Sequence, residues 1–328
     1  MKSREVHLVA RPEGLPKESD FTVVETDVAD PGEGEVLVQN LYMSVDPAMR
    51  PRLTAGYDLD APMMGGALGR VVASRSPAFA EGDLVSNRLG FREYFVSGEK
   101  GLTKLNPDPD LPLTMHMHAL GMTGFTAYGG LLKIGALKDG EQVFVSTAAG
   151  AVGSFVALIA MIKGCYVVGS TGSDDKVAWL KDEAGLDAAI NYKKEPIGKA
   201  LRAAAPKGID VYFENVGGEH LDAALAVMNP LGRVAVCGMI SGYNERGSRT
   251  SVHNLSNIIY GRINLRGFVA TDFMELHPQF LTDMTGWLKS GRIKVQETVL
   301  EGIGNAPAAM VGLMQGLNSG KMLVRLAE

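Results

Sequence analysis

Cysteine is almost missing from this chain: its 328 residues hold two, Cys165 and Cys237. Both stand in apolar, strand-like runs and read as small core residues. Two thiols cannot build a disulfide framework, so a reducing compartment is expected. Nor can they supply a structural zinc site, which takes about four closely spaced Cys or His ligands. His116 and His118 stand close together but have no third ligand near them in sequence, so no metal is expected. Long hydrophobic runs are also lacking. The longest, Phe155 to Ile162, is far shorter than the roughly 20 residues that span a bilayer. Met1 to Gly14 mixes charges with a proline and carries no signal-peptide pattern, which leaves the cytoplasm as the expected location, with no membrane partner. Positive charge is not in excess: 32 Lys and Arg stand against 37 Asp and Glu, a net charge of -5. That argues against nucleic acid as a partner, although a few local donors can still hold a phosphate on an acidic protein.

What is present is enough chain for about two domains. Hydrophobic residues make up 46%, which suffices for cores that need no staples. The first third reads as β-rich. Glu35–Ser44 places Val36 and Val38 on one face, after the turn residues Pro31, Gly32 and Gly34. Further short strands are expected at Arg70–Ser74, Asp83–Ser86 and Phe91–Val96. Beyond residue 120 the pattern changes. Strands are expected at Gln142–Ser146, Tyr166–Gly169, Ala188–Ile190, Ile209–Glu214, Arg233–Cys237 and Ile263–Phe268. Between them, helices are expected at Val152–Lys163, Asp174–Asp182, Ile197–Ala204, Glu219–Met228 and His253–Ile259. Repeated β-then-α units need a parallel sheet covered by helices on both faces, and right-handed crossovers make it doubly wound. In the tail, His277–Lys289 and Ala306–Leu317 read as helices and Lys321–Leu326 as a final strand. Ser241–Ser251 is the one long polar interruption in the α/β half and has the character of a lid or binding loop.

The strongest local signal is the run Ala148-Ala149-Gly150-Ala151-Val152-Gly153, between an expected strand and an expected helix. A dinucleotide fingerprint belongs at that junction, because backbone must approach the pyrophosphate closely while helix amides face it. Here Ala148 replaces the first fingerprint glycine. The next strand ends in Val168-Gly169-Ser170-Thr171-Gly172-Ser173, with no acid at the strand end where an NAD site would place one. Small hydroxyl residues and then Lys176 stand there instead, leaving room and a counter-charge for a 2′-phosphate. Asp174 and Asp175 read as first-turn acids that suit the helix dipole.

Ala148–Lys176 resembles the cofactor loop of the prostaglandin reductase and leukotriene B4 dehydrogenase family, which includes plant double-bond reductases and bacterial curcumin-type reductases. The resemblance extends in order through Arg11–Phe21, Tyr42–Arg50, Gly124–Gly130, Glu214–Gly218, Cys237–Asn244, His253–Tyr260 and Gly316–Lys321. It implies an α/β fold in which a doubly wound Rossmann sheet is inserted in a β-rich, GroES-like catalytic domain. The implied boundaries are residues 1–120 with 295–328 for the catalytic domain and 121–294 for the Rossmann domain. It implies NADP(H) as cofactor, with Gly150, Ala151, Val152 and Gly153 at the pyrophosphate and Lys176 and Tyr192 at the adenosine 2′-phosphate end. Asn215 and the stretch Cys237, Gly238, Met239, Ile240, Ser241, Gly242, Tyr243 would line the cofactor. Phe268, Val269 and Ala270 would flank the nicotinamide, and Asn318 would close over the cofactor. Asn215 and Asn318 also suit plain turns, since each stands beside Gly or Ser or a residue away from one.

Zinc-dependent relatives carry a Gly-His-Glu segment where this chain has Gly65 and Gly66 in Met64–Val71. Without a Lewis acid, chemistry in which hydride adds to carbon and charge spreads over an enolate is favoured over carbonyl reduction. The expected activity is reduction of the carbon–carbon double bond of a small apolar enone or enal. Tyr243 is the first candidate to donate a hydrogen bond to the enolate oxygen, because a phenol is a neutral donor at ordinary pH. Tyr57 is the second, and a surface-turn tyrosine is its plain alternative. Asp46 and Arg50 read as a structural pair. A quinone reductase, an alcohol dehydrogenase or a cofactor-binding protein without turnover would share the fold. The resemblance also suggests a homodimer.

Overall fold

In the computed structural model, which describes residues 1–244 and 251–327, the chain forms two compact units. Met1–Met117 together with Glu297–Glu328 make the first, and His118–Gln296 make the second. The polar run 245–250, part of the loop singled out above, lies outside the described residues.

The first unit opens with an antiparallel ribbon of β1 (Lys2–Leu8) and β2 (Phe21–Asp27), in register from Lys2 opposite Asp27 to Leu8 opposite Phe21. Neither strand was anticipated, because only Val6, Leu8 and Phe21 of their apolar side chains are buried and the alternation is weak. β3 (Glu35–Ser44) is the organising strand. It pairs along its length with β4 (Ala67–Ser74), and β6 (Tyr94–Gly98) lies antiparallel beside its first half. β5 (Leu84–Asn87) and β7 (Leu102–Lys104) extend the sheet beyond β4. A short helix α1 (Met49–Ala55) follows β3 and buries Met49, Arg50 and Leu53.

The second unit begins with α2 (Met122–Gly129) and carries the parallel sheet. Its strands are β8 (Gln142–Val145), β9 (Tyr166–Thr171), β10 (Ala188–Asn191), β11 (Ile209–Glu214), β12 (Met228–Val236) and β13 (Asn264–Gly267). Their spatial order, β10-β9-β8-β11-β12-β13, is the doubly wound order in which the winding reverses between β8 and β11. The helices are α3 (Ala151–Ile162), α4 (Asp174–Ala178), α5 (Ile197–Ala204), α6 (Gly218–Leu225), α7 (Asn257–Gly261) and α8 (His277–Lys289). Phe144, Val168, Tyr212, Leu201, Leu221 and Val234 meet in one core on the α5 and α6 side. A fully buried aliphatic side chain there contributes about 1.5–3 kcal/mol.

The expected helix Glu219–Met228 is shorter than its sequence suggests. α6 stops at Leu225, and Met228 already belongs to β12, which starts well before Arg233. A turn at Leu231, with φ of 65°, lets β12 begin early and bulge against β11. The chain then returns to the first unit with β14 (Glu297–Glu301), α9 (Ala306–Gln315) and β15 (Lys321–Arg325). β15 pairs antiparallel with β3, and β14 runs parallel to β15. No helix among the described residues is long and apolar enough to cross a membrane.

Candidate cofactor and active site

The turn between β8 and α3 is built for close backbone approach. Thr147 sits at φ 54°, an uncommon conformation for a residue with a side chain. A Cβ placed on Gly153 would stand 2.2 Å from the Thr147 carbonyl oxygen, and one on Gly150 would stand 2.8 Å from Thr147 Cγ2. Neither position has room for a side chain. Gly150 caps α3 without a side-chain hydrogen bond, and the first turn, Ala151 to Gly153, contains no acid. The first amides of α3 are therefore directed at whatever anion lies beyond them.

At the end of β9 a second cradle forms. A Cβ on Gly172 would lie 3.0 Å from the Tyr192 hydroxyl and 3.2 Å from Lys193 Cε. Lys176 is half-buried, and its amine is pushed below the usual lysine range first by burial and then by the neighbouring charge of Lys193. Two lysines whose charges bear on one another at the end of one strand suit a dianion. Lys193 was not anticipated. It follows Tyr192 in sequence, but its approach to Lys176 depends on β10 pairing with β9, with Asn191 opposite Thr171. Asp174 is engaged elsewhere: Lys194 and the Asn191 amide donate to its carboxylate and hold it below the usual range. It thus behaves as a paired helix-start acid. Tyr192 packs edge-on to His220, with ring centroids 4.9 Å apart, and burial raises its phenol.

At the switch point between β8 and β11, Asn215 donates its side-chain amide to the Ser146 carbonyl at 2.7 Å. The stretch Cys237 to Tyr243 hangs from the corner beside it. Cys237 and Gly238 donate their amides to Glu214 O, Ile240 donates to Asn215 O, and Ser241 donates to Val216 O. Ile240–Gly242 is a single turn of 3-10 helix, which Tyr243 follows. The Met239 amide donates to the Tyr243 phenol oxygen at 3.4 Å, a contact that does not use the phenol's own proton. Burial pushes the Cys237 thiol up to about 12, with Glu214 adding to it, so it stays protonated and poorly nucleophilic. Phe268 turns inward: its ring packs against Phe213 and Phe273, and Gly130 leaves it the space. Val269 is exposed and Ala270 is buried.

In the first unit, Tyr57 is buried and donates its hydroxyl to the Met64 carbonyl at 2.7 Å, while the Arg52 guanidinium lies over its ring. Asn318 is buried too, and its amide donates to Gly320 O at 2.7 Å, closing the turn before β15. The expected Asp46–Arg50 pair is replaced. Asp46 takes its hydrogen bonds from Lys321, at 2.9 Å, and from Ser44. Arg50 donates to Thr54 and to the Gly14 carbonyl. Burial alone would raise the Asp46 carboxyl, but Lys321 and Ser44 together hold it below the usual range. Helical periodicity from residue 49 directs Arg50 back over the N-terminal segment, and only the return of β15 supplies Lys321. Gly65, where zinc-dependent relatives would carry a ligand, is packed so tightly on Met49 and Phe91 that a Cβ would lie 2.7 Å from Met49 Cε. Among the described residues no group of three or more His, Cys, Asp or Glu is arranged to hold a metal ion.

Known proteins resemble this chain over almost its whole length. Residues 4–105 match a family model described as the N-terminal domain of oxidoreductase, and residues 151–285 match one described as zinc-binding dehydrogenase. The chain is 42% identical to the NADP(+)-dependent 2-alkenal reductase of Nicotiana tabacum, over 96% of this chain and 95% of that protein. It is 43% identical to prostaglandin reductase 1 of Rattus norvegicus, over 95% of this chain and 96% of that protein. The crystal structure of CurA from Vibrio vulnificus in complex with NADPH superposes with a TM-score of 0.93 at 37% identity, covering 99% of both chains.

Proposed function

The chain belongs to the prostaglandin and alkenal reductase family of medium-chain dehydrogenases/reductases, and from that premise we propose that it reduces the carbon–carbon double bond of α,β-unsaturated ketones and aldehydes. One observation carries the reading. Tyr243 stands at the sheet's switch point with its oxygen already accepting from Met239, so its proton is free to donate. NADPH supplies the hydride when bound. The α3 amides receive the pyrophosphate, and Lys176, Lys193 and Tyr192 receive the 2′-phosphate. Asn215 and the Cys237–Tyr243 stretch line the nicotinamide end, with Phe268 to Ala270 beside it. Hydride addition to the β-carbon would place negative charge on the substrate oxygen, and a proton delivered to the α-carbon by Tyr243 or by water would complete the saturated product. The Tyr243 hydroxyl donates to that oxygen, and a donor preorganised in this way favours the transition state over the ground state. Tyr57 is the second candidate donor; its proton is given to Met64, so it must let go of that carbonyl to act. The exposed side chain of Met239, on the same loop, offers adaptable apolar surface to a small enone.

The reading extends to a cytoplasmic homodimer. Both cysteines are free. β13 is an edge strand with all four residues exposed, and Ile259 and Tyr260 of α7 are 74% and 81% exposed. An open strand edge beside apolar side chains is a template for pairing with a second copy.

The test is NADPH absorbance decay with a simple enone, with and without a chelator, and again with NADH. Chelator-insensitive oxidation of NADPH that yields the saturated ketone supports the proposal. An allylic alcohol as product, or binding without turnover, would replace it.

A further inference from the structure

Glu214 is an unusual residue to find at the end of a central strand. Its side chain is fully buried, and it lies at the reversal of winding, where β11 meets β8. A buried carboxyl oxygen is costly unless a hydrogen bond satisfies it; here Oε1 is held, and Oε2 has no partner among the described residues. Glu214 Oε1 accepts from the Val216 amide at 2.6 Å and from Ser146 Oγ at 3.1 Å. Ser146 Oγ in turn accepts from the Asn215 amide at 2.9 Å. One carboxyl oxygen and one hydroxyl therefore fix three consecutive residues of the corner, 214 to 216, against the neighbouring strand. The carbonyls of those same three residues hold the loop that carries Tyr243: Glu214 O takes Cys237 and Gly238, Asn215 O takes Ile240, and Val216 O takes Ser241. Ser241 Oγ adds a further bond to Val216 O at 2.6 Å.

We propose that Glu214 is a positioning residue for the reaction: through Ser146 Oγ and the Val216 amide it sets the corner from which Asn215 and the Cys237–Tyr243 loop meet the cofactor. Nothing in this role asks Glu214 to touch a reacting atom. It acts on the register between two strands whose ends form the crevice, and small misplacements there cost rate. What the role requires is an acceptor at the Oε1 position. Burial pushes the carboxyl above the usual range, which agrees with a neutral group in that place. An amide oxygen at the same reach should then serve, whereas a shorter acid should not.

The inference rests on the reading of this crevice as the NADPH site, and the experiment separates the two. Nucleotide affinity is measured by NADPH fluorescence, and kcat and KM for an enone are measured alongside melting temperature. The variants are Glu214→Gln, Glu214→Asp, Glu214→Ala and Ser146→Ala. Glu214→Gln should match the parent protein. Glu214→Asp, Glu214→Ala and Ser146→Ala should each weaken NADPH by about tenfold, the equivalent of one lost buried hydrogen bond. They should lower kcat as well and leave the preference for NADPH over NADH unchanged. Ser146→Ala, which removes a single hydroxyl, decides the matter if a Glu214 variant fails to fold. A merely structural role would lower the melting temperature of Glu214→Ala and leave the affinity and kcat of the folded protein intact; that result overturns the inference, as does a Gln variant as impaired as the Ala variant. Failure of the parent protein to bind NADPH overturns the functional reading and this inference with it.

Discussion

The Tyr243 phenol oxygen accepts a hydrogen bond from the Met239 amide, four residues back on its own loop. That contact does not use the phenolic proton. Tyr243→Phe should therefore keep the loop and NADPH affinity while lowering kcat for enone reduction on the order of 100-fold, the scale of one lost oxyanion donor. Tyr57→Phe should cost less than Tyr243→Phe, because its hydroxyl serves the Met64 carbonyl. Steady-state kinetics of both variants checks the ranking, and an unchanged kcat for Tyr243→Phe would remove the donor assignment.

Lys176→Ala should weaken NADPH by roughly 10- to 100-fold, the range of one charge-assisted hydrogen bond. NADH, which lacks the 2′-phosphate, should be affected little. Lys193→Ala should act in the same direction, because its charge already bears on Lys176. Titration calorimetry with both nucleotides makes the comparison, and equal losses for NADPH and NADH would refute the assignment.

Gly153→Val should fold poorly or bind no nucleotide. Even a Cβ at this position would meet the Thr147 carbonyl oxygen at 2.2 Å, a backbone atom that cannot swing aside. Overpacking of this kind costs about 1–3 kcal/mol. A melting curve with and without NADPH reads the loss, since the parent protein gains stability from the ligand and the variant should not.

His220 gives a pH dependence. Burial pushes its imidazole down to about 4 from an ordinary 6.5, and among the described residues Nε2 has no hydrogen-bond partner. Because the folded-state value is depressed, the neutral ring is favoured in the native protein. Its contribution is complete above about pH 6.5 and is lost as pH falls toward 4. The loss is on the order of 2–3 kcal/mol. His220→Phe, which keeps an aromatic ring against Phe144 and Tyr192, should flatten acid unfolding over that window. Denaturant titrations at pH 7 and pH 4.5 test this, and an equal acid sensitivity in both proteins would exclude His220 as its source.

Tyr260→Glu should yield monomers if β13 and α7 meet a second copy. Light scattering distinguishes the states, and a variant that remains dimeric would place the interface elsewhere.

The linear chain already carried the winding of the second unit. Val143–Val145 of β8 and Val211–Phe213 of β11 are short, continuous apolar runs, and a central parallel strand buried on both faces has little choice but to look that way. The small residues of Ala148 to Gly153 were equally legible, because a backbone that must meet a phosphate excludes side chains locally. Other features depended on residues far apart in sequence. Lys321 reaches Asp46 only because β15 returns to lie beside β3, and Lys193 nears Lys176 only because β10 pairs with β9. Glu214 read only as the last residue of a strand; its hold on Ser146 appeared when β11 and β8 became neighbours across five intervening elements. Local patterns record what each segment buries, and so they fix strands, helices and tight turns. Which side chains meet across a sheet depends on strand order and register, and those are decided by the packing of the whole unit.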